Sequence, residues 1–91
     1  MKKILDINLI AEIVCKFYKV ELDYVFQKSG KQVVCEKRQI IHYLSYEFTE
    51  LSYKDIGNFH PEYKYDHATV LNSCRKIKTR LEVEKPLQRQ V

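Results

Sequence analysis

Hydrophobic residues recur with the period of an α-helix in three long stretches of the chain. The first stretch covers residues 6–19, and Asp6 is suited to cap the helix N-terminus. The second covers residues 35–49, and its expected buried stripe is Ile40, Ile41, Leu44 and Phe48. The third begins near Asp66, and its apolar stripe is Val70, Leu71, Cys74, Ile77 and Leu81.

Two short segments connect the first two long helices. In residues 20–26, Leu22, Val25 and Phe26 have helical spacing, which predicts one or two turns packing on the first helix. The next six residues are polar and include Gly30, so we expect an exposed loop there. No pair of segments alternates with the period of two that a β-sheet needs.

A turn and a short helix precede the third long helix. Ser52 followed by Asp55 is a loose capping box, and Gly57 is expected to end the short helix as a C-cap. Residues 58–64 form a loop containing Pro61. Two helices joined by a turn, the second with a polar leading edge, are typical of a helix-turn-helix. The sequence therefore predicts an all-α fold, a compact helical bundle that contains a helix-turn-helix.

Length, cysteine content and hydropathy bound the class of protein. The 91 residues suit a single domain, 1–91, whose last residues, about 84–91, contain Pro86 and are expected to fray. The three cysteines, at positions 15, 35 and 74, have no short spacing and are expected to be reduced. Neither a signal peptide nor an apolar segment long enough to cross a membrane is recognisable. We therefore expect a cytoplasmic protein without a membrane partner.

The residues that usually carry catalysis or bind metals are not arranged for either task. The histidines, at positions 42, 60 and 67, and the three cysteines lack the spacing of two to four residues that metal ligands share. Asp66 and His67 are adjacent, so on a helix they point about a third of a turn apart. The chain has no glycine-rich phosphate loop. We expect no enzyme, no metal or other cofactor, and no small-molecule substrate.

The start of the third long helix carries groups that can contact DNA bases. Asp66 can accept a hydrogen bond from a cytosine amino group, His67 can bond a base edge, and the methyl groups of Ala68 and Thr69 can contact thymine. The net charge of +4 and pI near 9.0 favour an anionic partner. Candidate phosphate partners are Lys28, Lys31, Arg38, Lys54, Lys64, Arg75, Lys76 and Lys78. A buried helix capped by Asp66, with a surface histidine, would explain the same residues.

Three ordered motifs resemble a known family. Residues 66–70 (DHATV), followed by residues 74–77 (CRKI), are similar to the DHTTV signature in the C-terminal DNA-binding domain of the bacterial replication initiator DnaA. Residues 37–44 resemble that family's Arg-Gln-containing helix, and residues 51–57 resemble its turn. The resemblance covers about residues 7–82.

The resemblance implies a TrpR-like helical bundle whose second helix-turn-helix element enters the major groove of double-stranded DNA. It implies base contacts by Asp66, His67, Ala68 and Thr69. It implies phosphate or minor-groove contacts by Lys28, Lys31, Gln32, Arg38, Gln39, Lys54 and Arg75. The expected function is sequence-specific DNA binding, resembling origin-box recognition in replication initiation but without an ATPase domain in these residues.

The chain departs from the family pattern at two places. Ala68 stands where the signature has its first threonine, and the basic loop contains Lys28 and Lys31 where the family has arginines. Lysine is less suited than arginine to a narrow minor groove. A stand-alone transcriptional regulator, or a protein-interaction module that keeps the fold without binding origin boxes, are the alternatives. The residues indicate neither the target sequence nor the oligomeric state.

Overall fold

The computed structural model describes residues 6–28 and 31–90, with side chains described up to residue 82, and these ranges contain helices joined by loops. The helices are α1 (Ile7–Tyr18), α2 (Leu22–Phe26), α3 (Gln32–Phe48), α4 (Tyr53–Gly57) and α5 (His67–Gln90). The predicted all-α bundle is confirmed. Gly30, assigned to a loop from the sequence, lies outside the described residues.

Helix α1 follows its sequence prediction closely. The Asp6 carboxylate accepts a hydrogen bond from the Asn8 backbone N–H at 2.8 Å, which confirms the expected cap. The helix ends where Lys19 adopts a left-handed conformation with φ of 58°. The buried face of α1 consists of Ile10, Ala11, Val14 and Cys15. This face packs against α3 and α2.

Helix α3 is the central element, and its buried face differs from the predicted one. The helix begins at Gln32, three residues before the expected start, and packs most extensively on α5. Phe48, expected in the core, is 42% exposed, whereas His42, expected to be half-buried, is fully buried. The buried residues of α3 are Val34, Arg38, Ile41, His42 and Ser45. Arg38 and His42 enter this face because Tyr65 supplies an aromatic face and Ser73 a hydroxyl, which a hydropathy pattern does not show.

The turn between α3 and α4 is fixed by local hydrogen bonds. Ser52 caps α4 by accepting from the Asp55 N–H, and Asp55 accepts from the Ser52 N–H, so the predicted capping box is confirmed. The expectation that Gly57 is a C-cap is wrong. Gly57 is the last helical residue and Asn58 is the cap. Gly57 is needed instead for close packing, because a Cβ there would lie 2.0 Å from the carbonyl oxygen of Tyr65.

Helix α5 is held by its second, third and fourth turns. Val70, Cys74 and Ile77 are buried, as the apolar stripe predicts, and Val70 and Cys74 share a core cluster with Ile56 of α4. The other two residues of that predicted stripe are less covered, because Leu71 is half-buried and Leu81 is 43% exposed. The α5 backbone continues to Gln90, past the point at which fraying is expected, through residues that mostly favour helix. No helix in the described ranges has the length and apolar character to cross a bilayer.

Candidate nucleic-acid interface

The first turn of α5 is presented to solvent. Asp66, His67 and Ala68 are exposed, and Thr69 is half-buried. The Asp66 Oδ1 accepts a hydrogen bond from the Thr69 N–H at 2.9 Å, so Asp66 caps α5. That bond, with the Thr69 side chain and the nearby charges of His67 and Lys28, lowers the pKa of Asp66. Asp66 is therefore an ionised hydrogen-bond acceptor at neutral pH.

The next turn of α5 is anchored to α3 through a buried polar contact. The Ser73 hydroxyl donates to the Thr69 carbonyl at 3.0 Å and lies 3.2 Å from Nδ1 of His42. Because its one proton is used, the hydroxyl accepts from His42, which places the imidazole proton on Nδ1. Burial, and secondly the charge of Arg38, lower the pKa of His42 to about 4. A neutral histidine thus fixes the rotation of α5 behind its exposed turn.

Tyr65 joins the start of α5 to two other parts of the molecule. Its backbone N–H donates to the Gly57 carbonyl at 2.9 Å, and its hydroxyl donates to the Phe26 carbonyl at the end of α2. Its ring lies between edge contacts with Phe26 and His42. Tyr65, which precedes the Asp66 cap, is therefore fixed by hydrogen bonds to the end of α4 and to the end of α2.

His60 organises the loop that leads to Tyr65. It is 2% exposed, and its Nδ1 accepts from the backbone N–H groups of Glu62 and Tyr63 at 3.0 and 3.1 Å. Its Nε2 therefore carries the proton and donates to Asp23 of α2 at 2.8 Å. The ring also stacks on Phe26. From the sequence, His60 is evaluated only as a possible metal ligand. Its partner Asp23 lies 37 positions away, and such a distant pair cannot be recognised from local spacing.

Most of the predicted phosphate-binding side chains are accessible. Five are exposed, namely Lys28, Lys31, Gln32, Lys54 and Arg75, and Gln39 is half-buried in the groove between α3 and α5. The Lys28 ammonium lies 5.2 Å from the centre of the Tyr65 ring, which places Lys28 close to the residue that precedes the Asp66 cap. Lys54 lies on α4 and Arg75 lies on α5. Basic groups from three elements therefore lie along the helix-turn-helix.

Arg38, also predicted to contact phosphate, is much less exposed than these side chains. Its side chain is only 8% exposed, and the guanidinium carbon lies 4.5 Å from the centre of the Tyr65 ring. The Nε and Nη1 atoms are out of solvent. The sequence did not indicate this because the tyrosine that covers Arg38 lies 27 positions away.

The described residues contain no group of three or more histidine, cysteine or acidic side chains that could hold a metal ion. Cys15 and Cys74 are buried, and burial raises the pKa of both thiols, that of Cys74 to about 11. Both are inert core residues at neutral pH.

Comparisons with known proteins identify similar sequences. The family model described as "Bacterial dnaA protein helix-turn-helix" matches residues 7–77. The chain is 39% identical over 89 residues to the chromosomal replication initiator protein DnaA of Bacteroides thetaiotaomicron, covering 98% of this chain and 18% of that protein. The same protein of Bacteroides fragilis is 37% identical over 83 residues, covering 91% of this chain and 17% of the relative. That of Caldanaerobacter subterraneus is 33% identical over 87 residues, with coverages of 96% and 19%.

The chain spans less than a fifth of the length of these curated relatives. No solved structure matches significantly. The sequence match runs from the first residue of α1 through the buried residue Ile77 of α5. It therefore includes the exposed turn of α5 and every helix that holds this turn in place.

Proposed function

Because the chain belongs to the bacterial DnaA helix-turn-helix family, we propose that it binds double-stranded DNA sequence-specifically by inserting the first turn of α5 into the major groove. One observation carries the proposal. The exposed residues Asp66, His67 and Ala68 lie at the start of a helix whose Val70, Cys74 and Ile77 are buried. A rigid helix with a presented N-terminal edge is the geometry by which helix-turn-helix proteins contact bases.

Four residues supply the proposed base contacts. The ionised Asp66 accepts a hydrogen bond from a cytosine amino group, and His67 hydrogen-bonds a base edge. Ala68 and Thr69 are small enough for the helix to approach closely, and their methyl groups contact thymine. Since Ala68 has no hydroxyl, its contribution is apolar, and this distinguishes the chain from relatives with threonine at that place.

The accessible basic and amide side chains supply the proposed backbone contacts. We assign phosphate or minor-groove contacts to Lys28, Lys31, Gln32, Gln39, Lys54 and Arg75. The lysines of the basic loop track the DNA backbone as point charges, without the planar fork with which arginine enters a narrow minor groove. Such contacts set the orientation of the domain on the duplex, and sequence preference comes from α5.

The domain is proposed to act as one DNA-binding unit over residues 1–91, without an active site of its own. Its relatives bear the name of the chromosomal replication initiator, so we propose that this chain recognises origin-type sites in replication initiation. A cytoplasmic location follows from that role. Catalysis is not proposed, because the hydroxyl–histidine pair of Ser73 and His42 is buried out of reach of a substrate and the described residues form no metal site.

A salt titration tests the proposal. A fluorescently labelled, random-sequence duplex of 25 base pairs is titrated with the protein at several salt concentrations. With four cationic contacts, we expect log K to fall with log salt at a slope of about −3 to −4. Replacing Lys54 by glutamine should reduce the slope by about one, whereas Lys16→Gln, an equal charge change on α1, should leave it unchanged. Absence of binding at low salt, or equal effects of both substitutions, contradicts the proposal.

A further inference from the structure

Arg38 is a buried cation without a carboxylate partner among the described ion pairs. Its Nη2 donates to Sγ of Cys35 at 3.5 Å, and its Nε and Nη1 have no hydrogen-bond partner. The guanidinium instead lies over the Tyr65 ring, 4.5 Å from the ring centre. This side chain is the one predicted phosphate contact that the fold turns inward.

Such a placement is energetically expensive, so its contact must matter to the fold. A buried charge that lacks hydrogen-bond acceptors loses favourable hydration, and few protein contacts compensate for that loss. The cation–π attraction of an aromatic ring offsets part of this desolvation free energy. The ring of Tyr65 is thus the main stabilising partner of Arg38, and the guanidinium in turn restricts where that ring can lie.

Tyr65 is well placed to transmit this restriction to the DNA-binding edge. Its N–H bonds the Gly57 carbonyl, its hydroxyl bonds the Phe26 carbonyl, and the next residue is the Asp66 cap. Lys28 lies 5.2 Å from the centre of the same ring. Tyr65 therefore connects α3, the end of α2 with Lys28, α4, and the first turn of α5.

We propose that Arg38 is a positioning residue that acts through Tyr65, setting the start of α5 relative to the basic loop, and that it makes no direct phosphate contact. This inference rests on the proposed DNA-binding function. Lys28 contacts the DNA backbone directly. Arg38 instead fixes the Tyr65 ring, and this ring positions Lys28 and the Asp66 cap relative to each other. A direct phosphate contact would require the guanidinium to leave the ring, and its contribution would then be independent of Tyr65.

A double-mutant cycle separates these two mechanisms. Arg38→Met, Tyr65→Leu and the double variant are titrated with the same random-sequence duplex at several salt concentrations. A positioning role predicts that Arg38→Met weakens binding by about fivefold or more in the wild-type background and by less than about twofold in Tyr65→Leu. The salt slope should stay unchanged. Independent losses, together with a slope reduced by about 0.9, would show a direct phosphate contact and overturn the inference.

Amide hydrogen exchange of the free protein tests the positioning role of Arg38 without DNA. Arg38→Met should accelerate exchange of the Tyr65 amide and of the first turn of α5, while amides in α1 keep their protection. Unchanged exchange at Tyr65 overturns the inference whether or not DNA is bound. Failure of the wild-type protein to bind duplex, in contrast, counts against the proposed function. Should Arg38→Met not fold, Arg38→Lys replaces it in the exchange experiment and in the affinity comparison of the double-mutant cycle, since lysine keeps the charge and loses the flat face that packs on the ring.

Discussion

The carbonyl oxygen of Tyr65 occupies the space in which a side chain at Gly57 would begin, because a Cβ there would lie 2.0 Å from this oxygen. The same two residues are also joined by a hydrogen bond, because the Tyr65 N–H donates to the Gly57 carbonyl at 2.9 Å. The end of α4 and the approach to α5 are therefore in direct backbone contact. The mutual orientation of the two helix-turn-helix elements depends on a residue without a side chain.

Replacing Gly57 by alanine should therefore force these two backbones apart. We expect the free energy of unfolding to fall by about 1–3 kcal/mol, which is the usual range for overpacking a tight site. Urea denaturation followed by circular dichroism measures the change. Asn58→Ala, at the exposed neighbouring position, is the matched control and should change stability by less than about 0.5 kcal/mol. An equal, small effect of both substitutions would mean that the close approach is not needed.

The buried His42 should make stability depend on pH. Its pKa is lowered to about 4 in the folded protein from an ordinary value near 6.5, so between these values the unfolded chain binds more protons than the native one. Stability should therefore decrease as the pH falls from about 6.5 towards 4, by up to about 3 kcal/mol. Denaturation at a series of pH values, compared with His42→Gln, measures this contribution.

The exposed His67 provides the control for that experiment. His67→Gln should reproduce the pH dependence of the wild-type protein, whereas His42→Gln should flatten it above pH 4. Because the pKa of Asp66 is lowered from 3.8, its contribution to stability is lost only as the pH falls below about that value, outside this window. If stability is constant between pH 6.5 and 4.5, then His42 is not held in the neutral form by the fold.

The His60 interactions should stabilise the loop that precedes α5. His60→Leu keeps the size and the packing on Phe26 but leaves the N–H groups of Glu62 and Tyr63 without an acceptor. We expect a loss of about 2–3 kcal/mol in unfolding free energy. Asp23→Asn keeps an acceptor for Nε2 and should cost much less, because Asp23 is largely exposed. Equal losses in the two variants would mean that the hydrogen bond to Asp23, and not the two bonds within the loop, is the stabilising contribution of His60.

Asp66 is proposed both to cap α5 and to contact a base, and two substitutions separate these roles. Asn is a good helix cap, so Asp66→Asn should keep the melting temperature while changing which bases are preferred. Asp66→Ala should lower the melting temperature and also reduce discrimination at one base pair, by about 5- to 150-fold. Calorimetry combined with competition binding measures both effects. A lower melting temperature with unchanged base preference would reduce Asp66 to a cap.

Features set by neighbouring residues could be predicted from the sequence. The Asp6 cap and the Ser52–Asp55 capping box are confirmed because their donors and acceptors lie within three positions of each other. The apolar stripe at Val70, Cys74 and Ile77 is also confirmed, since helical periodicity depends on residue type alone. The family resemblance found from three motifs is confirmed by the match over residues 7–77.

Features that depend on distant residues could not be predicted. Arg38 and His42 lie in the core because Tyr65 and Ser73 lie opposite them, 27 and 31 positions along the chain. The role of Gly57 likewise depends on the path of the chain near Tyr65. For the interface itself, the exposed positions at 66–68 agree with a presented edge, but the base and phosphate contacts remain predictions, because they require the geometry of bound DNA.

The central claim is that the first turn of α5 gives this chain its preference among DNA sequences. Repeated selection from a random duplex pool, carried out in parallel with the wild-type protein and with His67→Ala, tests it most directly. We predict that the wild type enriches a defined motif and that His67→Ala binds the same pool with a similar salt slope but loses preference at one position of that motif. Enrichment of no motif by the wild type, or of an identical motif by both proteins, would contradict the claim.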